Sequence, residues 1–73
     1  MDIKIIVGKR LKELRLSKSL SQESLAFQAN VDRTYINSVE NGRRNISVQT
    51  LQKLLVGLNI SFSDFFNNEA FHI

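Results

Sequence analysis

The sequence predicts an all-α protein, a compact bundle of five short helices, and three observations carry that prediction. Apolar residues recur at spacings of three and four, so the pattern is helical throughout its 73 residues. Proline is absent, which removes the commonest helix breaker. Short polar breaks separate the periodic runs, and each supplies a residue suited to start or stop a helix.

The first helix is expected over 2–17. Asp2 can accept hydrogen bonds from the free amides of the first turn. Ile3, Ile6, Val7, Leu11 and Leu14 form its apolar stripe, with Lys4, Lys9, Arg10, Lys12 and Glu13 mostly off it. "SKS" at 17–19 ends the run. The second helix, 21–29, starts at Ser21 and turns Leu25, Ala26 and Ala29 inward. Asn30 follows, a residue that tolerates the left-handed conformation of a tight helix end. Asp32 caps a third helix over 32–41, with Tyr35, Ile36 and Val39 at helical spacing and "NG" at 41–42 as its stop. The fourth helix, 47–58, starts near Ser47 and buries Val48, Leu51, Leu54, Leu55 and Leu58. In "SFSD", Ser61 caps a fifth helix over 61–67, and Asp64 completes a capping box. His72 is expected to be disordered. With no repeat, low-complexity tract or linker, residues 1–73 read as one domain.

Composition narrows the function. A chain this short buries only about 60% of its unfolded surface, so its stability alone should be marginal. No cysteine is present for a disulfide or a thiolate metal site. There is one histidine, and the carboxylates are not clustered, leaving no credible nucleophile, base or metal site. The expectation is a non-enzyme with no cofactor, no metal and no small-molecule ligand. "MDIKIIVGKRLKEL" carries charge through its apolar residues, unlike a signal peptide, and no apolar run approaches a bilayer's roughly 20 residues. A soluble, cytoplasmic protein without membrane contact is expected. The net charge of +3 is uneven: residues 1–44 hold nearly all the lysines and arginines, while 45–73 are slightly acidic and rich in phenylalanine. A basic front suggests a polyanion partner; an apolar tail suggests self-association.

The second and third helices meet a specific geometric demand. Two helices joined by a tight turn cross steeply, so their backbones approach closely. Ala26 supplies the small residue near the crossing, and Asn30 the residue able to take positive φ. Leu25 and Ala29 before the turn, and Val31, Ile36 and Val39 after it, supply the apolar anchors.

With these slots filled, "LSQESLA", "DRTYINSVENGRRN" and "ISVQTLQKLLVGLNIS" followed by "DFF" resemble the helix-turn-helix domains of the Cro and phage-repressor type, the xenobiotic-response-element family. The resemblance covers about residues 5–67. It implies a lambda-repressor-like bundle in which the second and third helices form the helix-turn-helix. "DRTYI" and "RRNIS" are similar to the controller proteins of restriction–modification systems, small dimeric regulators of the restriction and modification genes. Asn30 departs from the family's glycine at the turn.

The resemblance implies a third helix lying in the major groove of double-stranded DNA. Arg33, on the outer first turn, suits a bidentate contact to guanine, and Thr34 suits a thymine methyl or a phosphate. Asn37 and Ser38, one turn on, either reach the DNA or stand solvated. The Tyr35 ring can pack inward while its hydroxyl reaches a phosphate. Gln22 resembles the family glutamine that reaches a phosphate and braces the reading helix. Asn41, Arg43, Arg44 and Asn45 follow that helix, where the chain passes the sugar–phosphate backbone. Asp32 is read as a cap and Gly42 as a helix stop. Arg15 and Glu40 match the family's structural ion pair. Ile60, Phe62, Phe65 and Phe66 crowd a helix too short to bury them on one face, and are expected to join two copies as a homodimer. Two other readings remain: an antitoxin or mobile-element repressor of the same fold, and a protein-interaction module that has lost DNA binding. The second would have no need of a basic, polar face over 33–45.

Overall fold

A computed structural model describes residues 2–72. Its helices are α1 (Ile3–Ser17), α2 (Gln22–Ala29), α3 (Arg33–Glu40), α4 (Val48–Leu58) and α5 (Phe62–Phe66), followed by a 3-10 turn, Glu69–Phe71. No strand occurs among the described residues. Asp2, Ser21, Asp32, Ser47 and Ser61 each sit in extended conformation one residue before a helix. Each accepts a backbone N–H of the first turn through its side chain. One otherwise orphaned donor per helix is thereby satisfied, an arrangement worth about 1 kcal/mol each. Asn30 and Asn59 close α2 and α4 in the left-handed region at φ 56° and 57°, and Ser19 takes φ 57° after α1.

Helix α1 packs on α3, α2 packs on both α3 and α4, and α5 closes the bundle against α1 and α4. The core between them is Val7, Leu11, Leu25, Ala26, Ala29, Ile36, Val39, Leu51, Leu54, Leu55, Leu58 and Phe65. At Gly8 the main chains of α1 and α3 approach closely. A Cβ placed on Gly8 would lie 2.2 Å from the Val39 carbonyl oxygen, so only glycine admits this approach.

The structure corrects three sequence expectations about burial. Val48, the first residue of α4, is 75% exposed although it shares the stripe of Leu51 and Leu55, so burial in that helix begins one turn later. Ile3 is half exposed in the first turn of α1, leaving Val7 and Leu11 as that helix's buried apolar side chains. Phe65, expected at a dimer interface, is fully buried and serves the protomer's own core. Asn68 caps the 3-10 turn, with the Phe71 ring 4.9 Å from Phe66 and 5.9 Å from Phe65, and the exposed His72 ends the turn.

Candidate nucleic-acid interface

Helices α2 and α3 meet through a turn of three residues, with the Val31 N–H donating to the Ala26 carbonyl at 3.0 Å. Ile36 and Val39 anchor α3 in the core, which turns Arg33, Thr34, Asn37 and Asn41 outward. Arg33, Asn37 and Asn41 are spaced by four and so line one ridge, while Thr34 and Ser38 form the adjacent one. Arg33 and Arg43 are exposed, and their side chains bond to no described residue. Asn45 is likewise exposed.

Other predicted site residues are held within the protein. Asp32 accepts both the Thr34 backbone N–H (2.8 Å) and the Thr34 hydroxyl (2.6 Å). These bonds to Thr34 hold the Asp32 carboxyl below the usual carboxylate range. They also leave the Thr34 hydroxyl only its acceptor side for anything outside. The Tyr35 ring packs against the core, and the Arg44 guanidinium lies over it at 4.9 Å from the centroid. Such stacking orients a cation while leaving its hydrogen-bond donors free. Tyr35, Arg44, Thr34 and Ser38, with Thr50 of α4, line an open groove of about 420 Å³ beside the start of α3.

Beneath this face lies a buried charge. Arg15 grips Glu40 through two bonds, Nε to Oε2 at 2.7 Å and Nη2 to Oε1 at 2.9 Å, and its Nη1 donates to the Leu20 carbonyl at 2.7 Å. The two residues are only 6% and 8% exposed, and the hydrogen bond to Glu40 raises the Arg15 pKa further above its ordinary value. Gln22 is part of this cluster and not a free arm: its Nε2 donates to Glu40 Oε1 at 3.1 Å, and its Oε1 accepts from Asn37 Nδ2 at 3.2 Å. Asn41 in turn donates to the Asn37 backbone carbonyl at 2.9 Å and to Asn37 Oδ1 at 3.1 Å.

Two of these roles were not apparent from the sequence. The Gln22–Asn37–Asn41 linkage joins two helices through amides whose sequence separation carries no pattern. Arg10, placed among the solvated basic residues by its position off the stripe, instead donates from Nε to the Phe65 carbonyl (2.8 Å) and from Nη2 to the Asp64 carbonyl (2.7 Å). It thus satisfies the open end of α5.

A steep helix pair with an outward polar ridge on its second member defines a helix-turn-helix protein. A family model described as helix-turn-helix matches residues 11–65. The control protein C.MunI of a Mycoplasma species is 52% identical over 68 residues, covering 92% of each chain. The crystal structure of the restriction–modification controller protein C.AhdI from Aeromonas hydrophila superposes with a TM-score of 0.85 at 42% identity, covering 90% of this chain and all of that one. The controller protein C.Esp1396I, solved as a tetramer in complex with its natural 35-base-pair operator, matches at a TM-score of 0.85 and 36% identity over 90% of this chain and 87% of that one. Mutant structures of C.Esp1396I alter an arginine, a threonine and a tyrosine at three consecutive positions. The same tripeptide occurs here as Arg33-Thr34-Tyr35, on the first turn of α3. This chain belongs to the helix-turn-helix family of restriction–modification control proteins.

Proposed function

We propose that this protein is a sequence-specific transcription regulator that binds double-stranded DNA as a homodimer and controls restriction–modification genes in the cytoplasm. The observation that carries the reading is the outer ridge of α3, where Arg33 stands free and Asn37 and Asn41 follow at one-turn intervals above a braced base. Arg33 reads a guanine edge, and Asn37 and Thr34 lie within the same groove. Gln22 keeps one Nε2 hydrogen for a phosphate. Arg44, set in place by Tyr35, and Arg43 grip the backbone beside Ser38, Asn41 and Asn45. Regulation and not catalysis is the role, as the relatives are control proteins.

The dimer surface is Phe62 and Phe66, 37% and 40% exposed, with the partly buried Ile60 beside them. Phe66 lies edge-on to Phe65 at 5.0 Å, so this surface continues the core. Two copies joined there set two reading helices about 34 Å apart and require a near-palindromic operator. The resemblance to an operator-bound tetramer supports this arrangement. The test is selection of bound sequences from random DNA, which should enrich a two-fold symmetric motif. Arg33→Ala should then lose about 1–3 kcal/mol on that site and flatten the preference at one base pair. Equal losses on selected and random DNA would remove Arg33 as a base reader.

A further inference from the structure

The amides of the reading face form a chain that begins at a buried charge, and the chain has a direction. A side-chain amide has two unlike ends, a donor NH₂ and an acceptor C=O, which a half-turn exchanges with almost no change of shape. Left alone, such a group can meet DNA either way round. Glu40 removes that freedom. Its carboxylate, held by Arg15, offers only acceptors, so Gln22 must turn Nε2 toward it, at 3.1 Å. Gln22 then shows its oxygen to Asn37, which can answer only with Nδ2, at 3.2 Å. Asn37 is left with Oδ1 facing Asn41, whose Nδ2 donates to it at 3.1 Å and is held in that direction by the Asn37 backbone carbonyl at 2.9 Å. The Asn37 amide is thus held the same way round from both sides.

We infer that Asn37 reads an adenine, and that Gln22, directed by Glu40, and Asn41 are the positioning residues that together decide which way round the A·T pair is preferred. The inference rests on the DNA-binding reading above. Asn37 is exposed and keeps one N–H and one oxygen lone pair unused. A donor beside an acceptor matches the N7 and N6 edge of adenine. In the major groove, A·T and T·A present that pattern in opposite directions. A fixed amide discriminates between them; a freely flipping amide does not.

The test measures binding of the full protein to its selected operator and to variants carrying each of the four base pairs at every position. Asn37→Ala should abolish the preference at one symmetry-related pair of positions, a discrimination of roughly 5- to 150-fold for a good bidentate contact. Gln22→Met keeps the side chain's length and leaves both Arg15 bonds to Glu40 intact; combined with Asn41→Ala, it removes both partners that fix the Asn37 amide. It should erase the A·T over T·A preference at those same positions, beyond any uniform loss from a missing phosphate contact. Gln22→Lys is sharper. In the same Asn41→Ala background, an ammonium still donates to Glu40 but cannot accept from Asn37, so Asn37 must turn its oxygen inward and the preference should reverse toward T·A. Circular dichroism confirms that each variant is folded. A uniform loss across all operators in the Gln22→Met, Asn41→Ala variant, together with an unchanged preference in the Gln22→Lys, Asn41→Ala variant, overturns the inference while leaving the DNA-binding reading intact. An unchanged preference in Asn37→Ala also overturns it. A wild-type protein without sequence preference would overturn both.

Discussion

Replacing Glu40 by alanine probes the charge beneath the reading face. The substitution strips Arg15 Nε and Nη2 of their partners and leaves only the Nη1 bond to Leu20. With Arg15 only 6% exposed, water cannot readily replace what is lost. Gln22 Nε2 loses an acceptor as well. Breaking a buried pair by removing one member costs about 3–5 kcal/mol, because the remaining charge is stranded. A domain of this size has roughly 4–11 kcal/mol in total, so a large share of its stability is at stake. At about 4–8 °C per kcal/mol for a small domain, the melting temperature should fall by at least about 12 °C. The assay is thermal unfolding followed by circular dichroism. Protein concentration is held constant, since self-association shifts the apparent midpoint. A double replacement, Arg15→Met with Glu40→Met, removes both charges at similar volume and should stay within about 2 kcal/mol of the parent. A fall of less than about 4 °C for Glu40→Ala, or a double variant no better than the single one, would refute the stranded-charge argument.

Gly8→Ala should destabilise the fold by about 1–3 kcal/mol in urea unfolding, despite alanine's better helix propensity, because the new Cβ would meet the Val39 carbonyl at 2.2 Å. Unchanged stability would mean that α1 and α3 separate freely. Phe65→Ala should cost about 3–5 kcal/mol as a core deletion, whereas Phe66→Asp should leave a folded chain that sediments as a monomer and binds DNA weakly. A fully dimeric Phe66→Asp protein would place the interface elsewhere. Asp32 has a carboxyl pKa lowered in the folded state by its bonds to Thr34, so its cap contributes above the unfolded pKa and is lost as pH falls through the lower, folded one. An NMR titration should therefore show its carboxyl carbon, together with the Thr34 amide, titrating below free aspartate. A midpoint at or above the free value would contradict the capping geometry.

The sequence made helix starts more legible than helix neighbours. Asp2, Ser21, Asp32, Ser47 and Ser61 act within three residues of themselves, so their roles can be read without a fold, and Asn30 announces its left-handed turn in the same way. Asn59 and Ser19 adopt the same conformation without so clear a flanking pattern. The Arg15–Glu40 pair came from family resemblance, since 25 residues separate its members. Phe65 was hidden for a geometric reason: in five-residue α5, adjacent phenylalanines differ by a fraction of a turn, and only the positions of α1 and α4 decide which one enters the core. Arg10 was misjudged because its acceptors are backbone carbonyls, which no side-chain pattern reveals. Helical spacing made the outward positions of α3 legible, but the direction of each amide was not, because it is set in part by hydrogen bonds between groups distant in the sequence.

The local helix caps also bear on how quickly the molecule becomes active. When each segment carries its own start, little of the structure must wait for distant parts of the chain to meet, and helical domains of this kind fold in microseconds to milliseconds. The sequence has no proline to isomerise and no cysteine to pair, so neither of those slow steps delays it. Translation at roughly 5–20 residues per second needs about 4–15 s for these 73 residues, at least a thousand times longer than folding. Synthesis of each chain is therefore slower than its folding, and the supply of folded regulator is set at the ribosome.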